Sequence, residues 1–328
     1  MAHLNVFRDD AFSLTALTAA IQAIPYQPAR IGQSGLFEED GINTLDVFIE
    51  QENGVLDLVE VTSRGAPGKK PSSDERVARS FRVPHLPVPD ALMADTIQGV
   101  RAFGSESEVE TMAGVVAKRL AKMRRNIEYT IEAHRVAAIQ GKFYDVTGAV
   151  KSAFTEFAVA EQSVAMVLGT DGTKVRQKCL EVIEKIEDAL GGLSFTSIWV
   201  PCGKTFWEKL IEHPALKETV LNTEMARSLR EDPRAVIEFG GMTFERYRGT
   251  SAVKIPDAEA RAVPMGVPDL FITRFAPADY VETVNTVGQR IYAKQEEMRM
   301  GKGIELEAQS NPFNICTRPR AAIKLTTN

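Results

Sequence analysis

Apolar residues recur every three or four positions through residues 106–140, the longest regular pattern in the chain. This spacing predicts an amphipathic helix that buries one stripe of side chains. At about 1.5 Å per residue the helix would be about 50 Å long. We therefore expect a spine across the molecule, ended by Gly141. The stripe comprises Val109, Met112, Val116, Leu120, Met123, Ile127 and Ile131.

The segment before this helix carries strand patterns but offers little core of its own. Residues 10–24 have apolar side chains at helical spacing and predict a short helix. Leu45–Glu50 and Val55–Thr62 alternate like strands on either side of Asn53-Gly54, which is a strong hairpin signal. Residues 76–83 alternate again after a tip rich in glycine, proline and serine.

Residues 44–84 therefore predict a long two-stranded ribbon, and such a ribbon is unstable on its own in water. The chain offers no obvious spare surface to support it, so we expect the ribbon to lie on a neighbouring copy of the chain. The candidate interface residues are Arg64, Lys69 and Lys70 at the tip and Phe81 on the returning strand.

Beyond the spine, helix and strand patterns mix, which favours an α+β fold. The segment from about residue 168 to 285 is expected to form a compact unit that the chain enters from a second unit and then leaves again. The predicted helices are Val175–Leu190 and Lys204–Glu212, and the predicted strands are Phe154–Val159, Ser163–Leu168, Phe195–Val200, Asp269–Phe275 and a pair within Ala235–Arg246 around Gly240-Gly241.

The C-terminal residues 292–325 begin with a charged, helix-like segment and continue as two strands. Ile304–Ala308 alternates like a half-buried strand, and Asn311-Pro312 is a turn signal. Arg320–Leu325 is typical of a final short strand. The stretch therefore predicts a strand–turn–strand that completes a mixed domain.

Composition indicates an ordinary globular protein. Of its 328 residues, 44% are hydrophobic and 25% are charged, so a sizeable core can form. The formal net charge of -5 argues against tight nucleic-acid binding, which needs clustered positive charge. No signal-peptide pattern opens the sequence and no apolar run approaches the ~20 residues of a membrane span, so we expect synthesis in a cytoplasm and no membrane contact.

The sequence lacks the motifs of common enzymes. Gly203-Lys204-Thr205 ends like a phosphate-binding loop, but Ile198 stands where that loop needs its first glycine. The four histidines are scattered, and His134 is expected to be a packed or surface side chain. Three widely spaced cysteines match neither a disulfide framework nor a zinc site. We expect no catalytic residue, no metal and no cofactor.

Five segments carry a more specific signal than any short motif. They are FWEKLIEHPAL from Phe206, FGGMTFERYRG from Phe239, FAPADY from Phe275, ETVN from Glu282 and GKGIELEAQSNPFNICTRPR from Gly301. Their amino-acid sequences resemble segments of the phage major capsid protein E family, the lambda-type head proteins. The signature positions are Gly240, Gly241, Pro277, Asp279, Asn285, Asn311, Pro312, Arg318 and Pro319.

The resemblance implies the tailed-phage major capsid (Hong Kong 97-like) fold. This α+β fold combines an N-terminal arm, an extended β-loop, a long spine helix, a peripheral domain and an axial domain. In this chain the parts would be the arm 1–43, the extended loop 44–84, the peripheral domain 85–167 with 291–328, and the axial domain 168–290.

The resemblance also implies a structural role in a virion. Copies of the chain would assemble as pentamers and hexamers into an icosahedral shell that encloses double-stranded DNA and touches it only weakly. The first residues show no long coiled-coil extension that could act as a fused scaffold, so a separate scaffolding protein is implied, with a portal and a decoration protein as further partners. Assembly would occur in the host bacterial cytoplasm, without cross-linking through Lys69 or Lys70.

Two alternatives stay open on the sequence alone. The first is an encapsulin-like shell that stores an enzyme cargo. The second is a soluble α/β enzyme or binding protein, which would need a ligand pocket with convergent polar groups. The missing catalytic motifs and the unsupported ribbon at residues 44–84 weigh against this second alternative.

Overall fold

The computed structural model describes residues 10–24, 29–52, 76–94, 108–221, 236–250 and 253–328. Its helices and strands confirm the α+β class. The helices are Leu14–Ala23, Arg30–Gln33, Glu108–Ile139, Ala153–Glu156, Val175–Leu190, Lys204–Glu212 and Pro214–Leu221. The strands are β1 (Glu38–Gly41), β2 (Asp46–Glu52), β3 (Arg76–Arg82), β4 (Leu86–Met93), β5 (Lys142–Tyr144), β6 (Val150–Ser152), β7 (Ser163–Ala165), β8 (Ser197–Cys202), β9 (Ile237–Phe239), β10 (Met242–Arg246), β11 (Glu259–Met265), β12 (Phe271–Phe275), β13 (Tyr292–Glu297), β14 (Gly303–Ser310), β15 (Pro312–Cys316) and β16 (Ile323–Thr326).

The largest core surrounds a six-stranded sheet in the order β7-β16-β11-β8-β10-β9. The pairs β7–β16 and β8–β10 are parallel, and the other pairs are antiparallel. Val175–Leu190 and Lys204–Glu212 have the bounds that the sequence predicts. Each contributes an apolar stripe to this core: Val175, Cys179, Val182, Ile186 and Leu190 from the first helix, and Phe206, Trp207 and Leu210 from the second.

A second core lies under the three-stranded antiparallel sheet β4-β14-β13. Leu306 and Ala308 point into it while Glu305 alternates to the exposed side, which confirms the predicted strand. The helix Leu14–Ala23, here called the arm helix, adds Leu17 and Ile21. The described part of the arm therefore packs on its own chain.

The spine helix, Glu108–Ile139, confirms the predicted long helix. Five residues of its apolar stripe are buried. They are Val116, Leu120, Met123, Ile127 and Ile131. Val109 and Met112 belong to the helix, but their side chains lie outside the described residues. Gly141 ends it with a φ of +69°, and a Cβ there would lie 2.2 Å from the ring of Phe154.

His134 is a packed side chain near the end of the spine. It is 5% exposed, and its ring stacks on Tyr144 with the centroids 4.2 Å apart. Burial lowers the pKa of His134 to about 4, because the charged imidazolium would lose its hydration. The residue is therefore neutral at physiological pH.

Two predicted elements are wrong. Tyr292–Glu297 is not a helix but strand β13, because all six residues pair in register with β14. Phe154–Val159 is not a strand, because Ala153–Glu156 forms a short helical turn and Ala158 has a φ of +52°. In Tyr292–Glu297, long-range strand pairing overrides the residue pattern. In Phe154–Val159, the local backbone geometry overrides it.

Strand pairing also crosses the predicted domain boundaries. Strand β16, from the predicted peripheral domain, pairs with β11 of the predicted axial segment. Conversely, β12 pairs with β15 and β1 in a separate three-stranded sheet. The boundaries at 167/168 and 290/291 therefore stay a prediction, whereas the sheets connect the two segments.

Candidate assembly surfaces

The base of the ribbon consists of β2 and β3, which pair antiparallel over seven residues each. One face is buried in a third core through Val47, Ile49 and Phe81. Phe81 stacks on Phe313 with ring centroids 5.5 Å apart. Its own chain therefore supports this face, which corrects the expectation that the chain offers no surface for the ribbon, while contact with a neighbouring copy stays a prediction. Phe81 is buried in the core of its own chain, and its role at a subunit interface stays a prediction.

The opposite face of the ribbon base is exposed. Phe48 lies opposite Ser80 on this face and is 66% exposed. An exposed phenylalanine next to a buried ribbon face marks a surface that another chain can cover. Strict alternation within Leu45–Glu50 separates Phe48 from Val47 and Ile49, so the sequence contains the signal that identifies it. The tip residues Arg64, Lys69 and Lys70 and the Asn53-Gly54 turn lie outside the described residues.

A second exposed apolar surface follows β12. Val281, Val284 and Val287, here called the valine ridge, are 86%, 64% and 61% exposed. The ridge includes a single 3-10 turn at Val281–Thr283. Valine is normally a buried residue, so three exposed valines on one loop form a candidate contact surface.

Signature residues hold the ridge in place. The Nδ2 of Asn311 donates to the carbonyl of Pro277 over 2.8 Å, and Gln309 donates to Asp279 over 2.8 Å. Because Asn311 donates through Nδ2, its Oδ1 accepts from Nδ1 of His85 over 2.8 Å. Asn285 has a φ of +60°, a left-handed conformation that asparagine tolerates better than most residues.

The glycine pair and Arg318 lie beside the largest core. Gly240 and Gly241 form the turn between β9 and β10 with φ values of +60° and +82°. A Cβ on Gly240 would lie 2.7 Å from Cβ of Cys179. Arg318 donates to the carbonyl of Leu190 at the end of a helix over 3.1 Å. Pro319 begins a 3-10 turn before β16, and Pro312 opens β15 directly, so the predicted turn at Asn311-Pro312 is a short break between strands.

The outer face of the sheet β4-β14-β13 forms a groove of about 560 Å³, here called the acidic groove. Glu296 and Glu305 lie directly opposite each other on neighbouring strands, and both are exposed. Glu307 lies beside them and accepts from the hydroxyl of Tyr280 over 3.0 Å. The ammonium of Lys294 is bound to Glu282 outside the strands, over 2.8 and 2.9 Å.

A partly buried ion-pair network joins β1, the spine and the end of the ridge loop. Arg290 forms ion pairs with Glu128 on the spine and with Glu39 on β1. Arg135 of the spine also reaches Glu39, over 2.5 Å. Burial alone would raise the pKa of Glu39, but the guanidinium groups of Arg135 and Arg290 outweigh that effect and lower it.

The described residues contain little that suggests other chemistry. No group of three or more potential metal ligands occurs among them. None of the described helices is both long and apolar enough to cross a bilayer. Cys179, Cys202 and Cys316 are free and buried, and burial raises their thiol pKa values, to about 12 for Cys179 and Cys316.

Comparison with known proteins identifies the family. The model of the family described as phage major capsid protein E matches residues 13–327. The major capsid protein of Pseudomonas phage KPP10 is 29% identical over 338 residues, which span 95% of this chain and 96% of the relative.

Two solved structures share the fold. A putative capsid protein of a prophage from E. coli CFT073 has a TM-score of 0.58 at 13% identity, over 96% of this chain and 99% of that chain. A chain of the mature capsid of bacteriophage PhiM1 has a TM-score of 0.52 at 12% identity, over 93% and 88%.

The family match, the similar major capsid protein and the shared fold together place the chain in the class of phage capsid proteins. The chain belongs to the phage major capsid protein E family. The sequence-based fold and family assignments are therefore confirmed, and the role of the protein is structural, as a phage major capsid protein.

Proposed function

We propose that copies of this chain assemble into a closed icosahedral shell of pentamers and hexamers, which encloses double-stranded DNA in a tailed-phage virion. The observation that carries the proposal is the ribbon whose inner face packs on its own chain while Phe48 on the outer face is exposed. Ring contacts between identical copies are heterologous and must close geometrically. Each contact can be modest, because several neighbours hold every copy in place.

In this shell the arm (1–43) and extended loop (44–84) lie partly over adjacent copies. The segment 168–290 surrounds the five- and six-fold axes, and the spine crosses the peripheral part. The ion-pair network at Arg290 supports a fixed connection between β1, the spine and the end of the ridge loop. We expect loop and arm to become more ordered, and the spine to change its bend, when a precursor shell expands. Identical amide hydrogen exchange at the loop tip and arm in precursor and mature shells would contradict this.

The proposed partners follow from the shell. They are a separate scaffolding protein, a portal, a decoration protein and DNA that touches the inner wall weakly. A net charge of -5 supports weak DNA contact. Assembly takes place in the host bacterial cytoplasm, with no membrane contact, no catalysis and no cross-link through Lys69 or Lys70. Membership of the capsid family favours this proposal over an encapsulin-like shell and over a soluble enzyme or binding protein.

Sedimentation and negative-stain microscopy of the purified protein test the proposal, first alone and then with a candidate scaffolding protein. We expect closed shells or capsomer rings. A monodisperse monomer or dimer under every condition would contradict it. DNA-free particles that carry a second protein as cargo would favour the encapsulin-like alternative instead.

A further inference from the structure

We propose that one face of the spine helix is the surface through which each subunit contacts the packaged DNA. The face is formed by Lys118, Lys122 and Arg125, here called the basic stripe. The inference rests on the proposed shell function, because it assigns the DNA contact of that shell to three residues. It is carried by the unpaired charge of the stripe, by its position on the helix and by the polar character of its surroundings.

The basic stripe belongs to a strongly cationic part of the chain. Residues 117–126 (AKRLAKMRRN) contain five basic residues and no acidic one, although the whole chain has a net charge of -5. Two of the five have partners within the subunit. Arg119 binds Asp90 over 3.0 and 3.1 Å, and Arg124 donates to three carbonyls at the end of the arm helix. None of the three stripe residues forms an ion pair with a described residue, so their charges remain for a partner.

The three stripe residues lie on one face of the helix, away from the core. Their spacing of four and then three residues places them in a row about 10 Å long. At 3.6 residues per turn, this row lies roughly opposite Val116 and Ile127, which are buried in the core under the sheet β4-β14-β13. All three basic side chains are exposed.

The sheet and the spine form a layer whose two sides differ in charge. Leu306 points from the sheet into the core that it shares with the spine, whereas Glu305 and Glu307 line the acidic groove on the outer face. The basic stripe lies on the far side of the spine. A shell wall turns one side towards its interior, and the positive side is the one that attracts the phosphates of DNA.

The composition of this face favours DNA over an acidic segment of a protein. Among the described residues 114–126, no large apolar side chain is exposed, whereas the centre of a protein–protein interface is apolar. Phosphate contacts need only cationic and amide donors, which the stripe and the exposed Asn126 supply. Over about 10 Å a duplex presents roughly six phosphates, so each charge of the stripe can find a partner.

Three phosphate contacts per subunit agree with the weak DNA contact of the proposed shell. Each neutralised phosphate contributes about -0.9 to the slope of log affinity against log salt concentration, so the stripe should contribute roughly -2.7. Its contribution to the affinity should therefore fall about 40-fold between 50 and 200 mM salt. Repetition of the stripe in many copies makes these weak contacts effective together.

Binding of a fluorescent duplex of about 30 base pairs to the purified full-length chain tests the stripe. Fluorescence anisotropy gives the affinity at salt concentrations between about 50 and 200 mM. The test variant is K118Q/K122Q/R125Q. The matched control is K174Q/R176Q/K204Q, which removes three exposed positive charges elsewhere on the subunit. Both variants change the net charge by the same amount, and glutamine keeps a helix propensity close to that of lysine and arginine.

We expect the test variant to bind the duplex at least about tenfold more weakly than the unmodified chain at the lowest salt concentration. Its salt slope should also be roughly 2–3 closer to zero. The control should change the affinity less than about threefold, because its charges lie away from the stripe. Equal losses in both variants, unchanged binding by the test variant, or no binding by the unmodified chain would each overturn the proposal while leaving the shell function intact.

Lysine acetylation in DNA-filled and empty shells supplies a second readout. Lys118 and Lys122 should react several times more slowly in filled shells, and Lys204 should react equally in both. Equal reactivity of Lys118 and Lys122 in the two kinds of shell would overturn the contact. A test variant that binds the duplex normally but no longer assembles with a scaffolding protein would assign the stripe to that protein and overturn the DNA contact. Failure of the unmodified chain to form shells would refute the proposed function itself.

Discussion

Arg290 and Glu128 form a two-point ion pair that fastens the end of the ridge loop to the spine helix. Nε of Arg290 donates to Oε1 of Glu128 over 3.0 Å, and Nη2 donates to Oε2 over 2.6 Å. The planar guanidinium matches the carboxylate at both oxygens, which fixes orientation as well as distance. The ion pairs of Arg290 therefore connect the end of the ridge loop to both the spine and β1.

Removal of the Arg290 side chain should destabilise the subunit strongly. The Glu128 side chain is only 10% exposed, so R290A leaves a carboxylate that is both buried and poorly paired. We expect a loss of about 3 kcal/mol in the free energy of unfolding, measured by urea denaturation of unassembled subunits.

The control for R290A is K294A, which breaks the more exposed pair with Glu282. Exposed pairs contribute little, so the denaturation midpoint should move much less than in R290A. Equal shifts of the denaturation midpoint in the two variants would show that the Arg290–Glu128 ion pair stabilises the subunit no more than the exposed pair does.

Phe81 and Phe48 should have opposite effects on folding and assembly. They lie on opposite faces of the ribbon base, with Phe81 7% exposed and Phe48 66% exposed. F81A should lower the free energy of unfolding by about 3–5 kcal/mol, because it opens a cavity in an aromatic cluster. F48A should leave the unfolding of subunits nearly unchanged but lower the yield of shells in sedimentation. An F48A variant that assembles as well as the unmodified chain would remove Phe48 from the interface.

Alanine substitutions at two glycines test two different effects, backbone strain at Gly240 and helix propensity at Gly114. Gly240 needs a positive φ and has no room for a Cβ, since Cys179 would lie 2.7 Å away. G240A should therefore cost about 2–4 kcal/mol of unfolding free energy. Gly114 lies within the spine with nothing near its Cβ position, so G114A should stabilise by about 0.5–1 kcal/mol. Thermal denaturation of both variants checks the pair, and a neutral G240A would contradict the geometry of the β9–β10 turn.

His134 should make the subunit less stable as the pH falls. Its pKa is about 4 when folded, below its usual value of 6.5, so the unfolded chain binds the proton more tightly. Stability is therefore lost progressively below pH about 6.5, by about 2 kcal/mol between pH 7 and pH 5. H134F keeps a ring against Tyr144 and should remove that part of the pH dependence. Equal pH dependence of urea denaturation in H134F and the unmodified chain would rule out this role.

Local patterns were sufficient for several elements of the fold. The spine and the helices Val175–Leu190 and Lys204–Glu212 follow from the spacing of apolar residues, because a helix buries one face through neighbours in sequence. The strand pair around Gly240-Gly241 could be predicted because a tight turn between strands needs a positive φ, which glycine adopts readily. These features depend on residues close together in the chain.

Several of the features that were missed depend on distant partners. Tyr292–Glu297 is charged, yet it forms a strand because β14 supplies its hydrogen bonds. Alternation places Phe48 on the face of Asp46 and Glu50, opposite Val47, but nothing local shows what covers that face. The valine ridge is anchored by Gln309 and Asn311, which lie more than twenty positions further along. The family resemblance could therefore name the signature residues, but it could not show their role in supporting the ridge.

The most direct test of the shell account is a cryo-electron microscopy reconstruction of particles assembled from this chain. The account predicts an icosahedral lattice of five- and six-copy rings, with residues 168–290 around the axes and the ribbon 44–84 of each copy covering an adjacent one. The outer face of Phe48 would be buried at that contact. A closed lattice in which every ribbon touches only its own chain, or the absence of any closed lattice, would contradict the account.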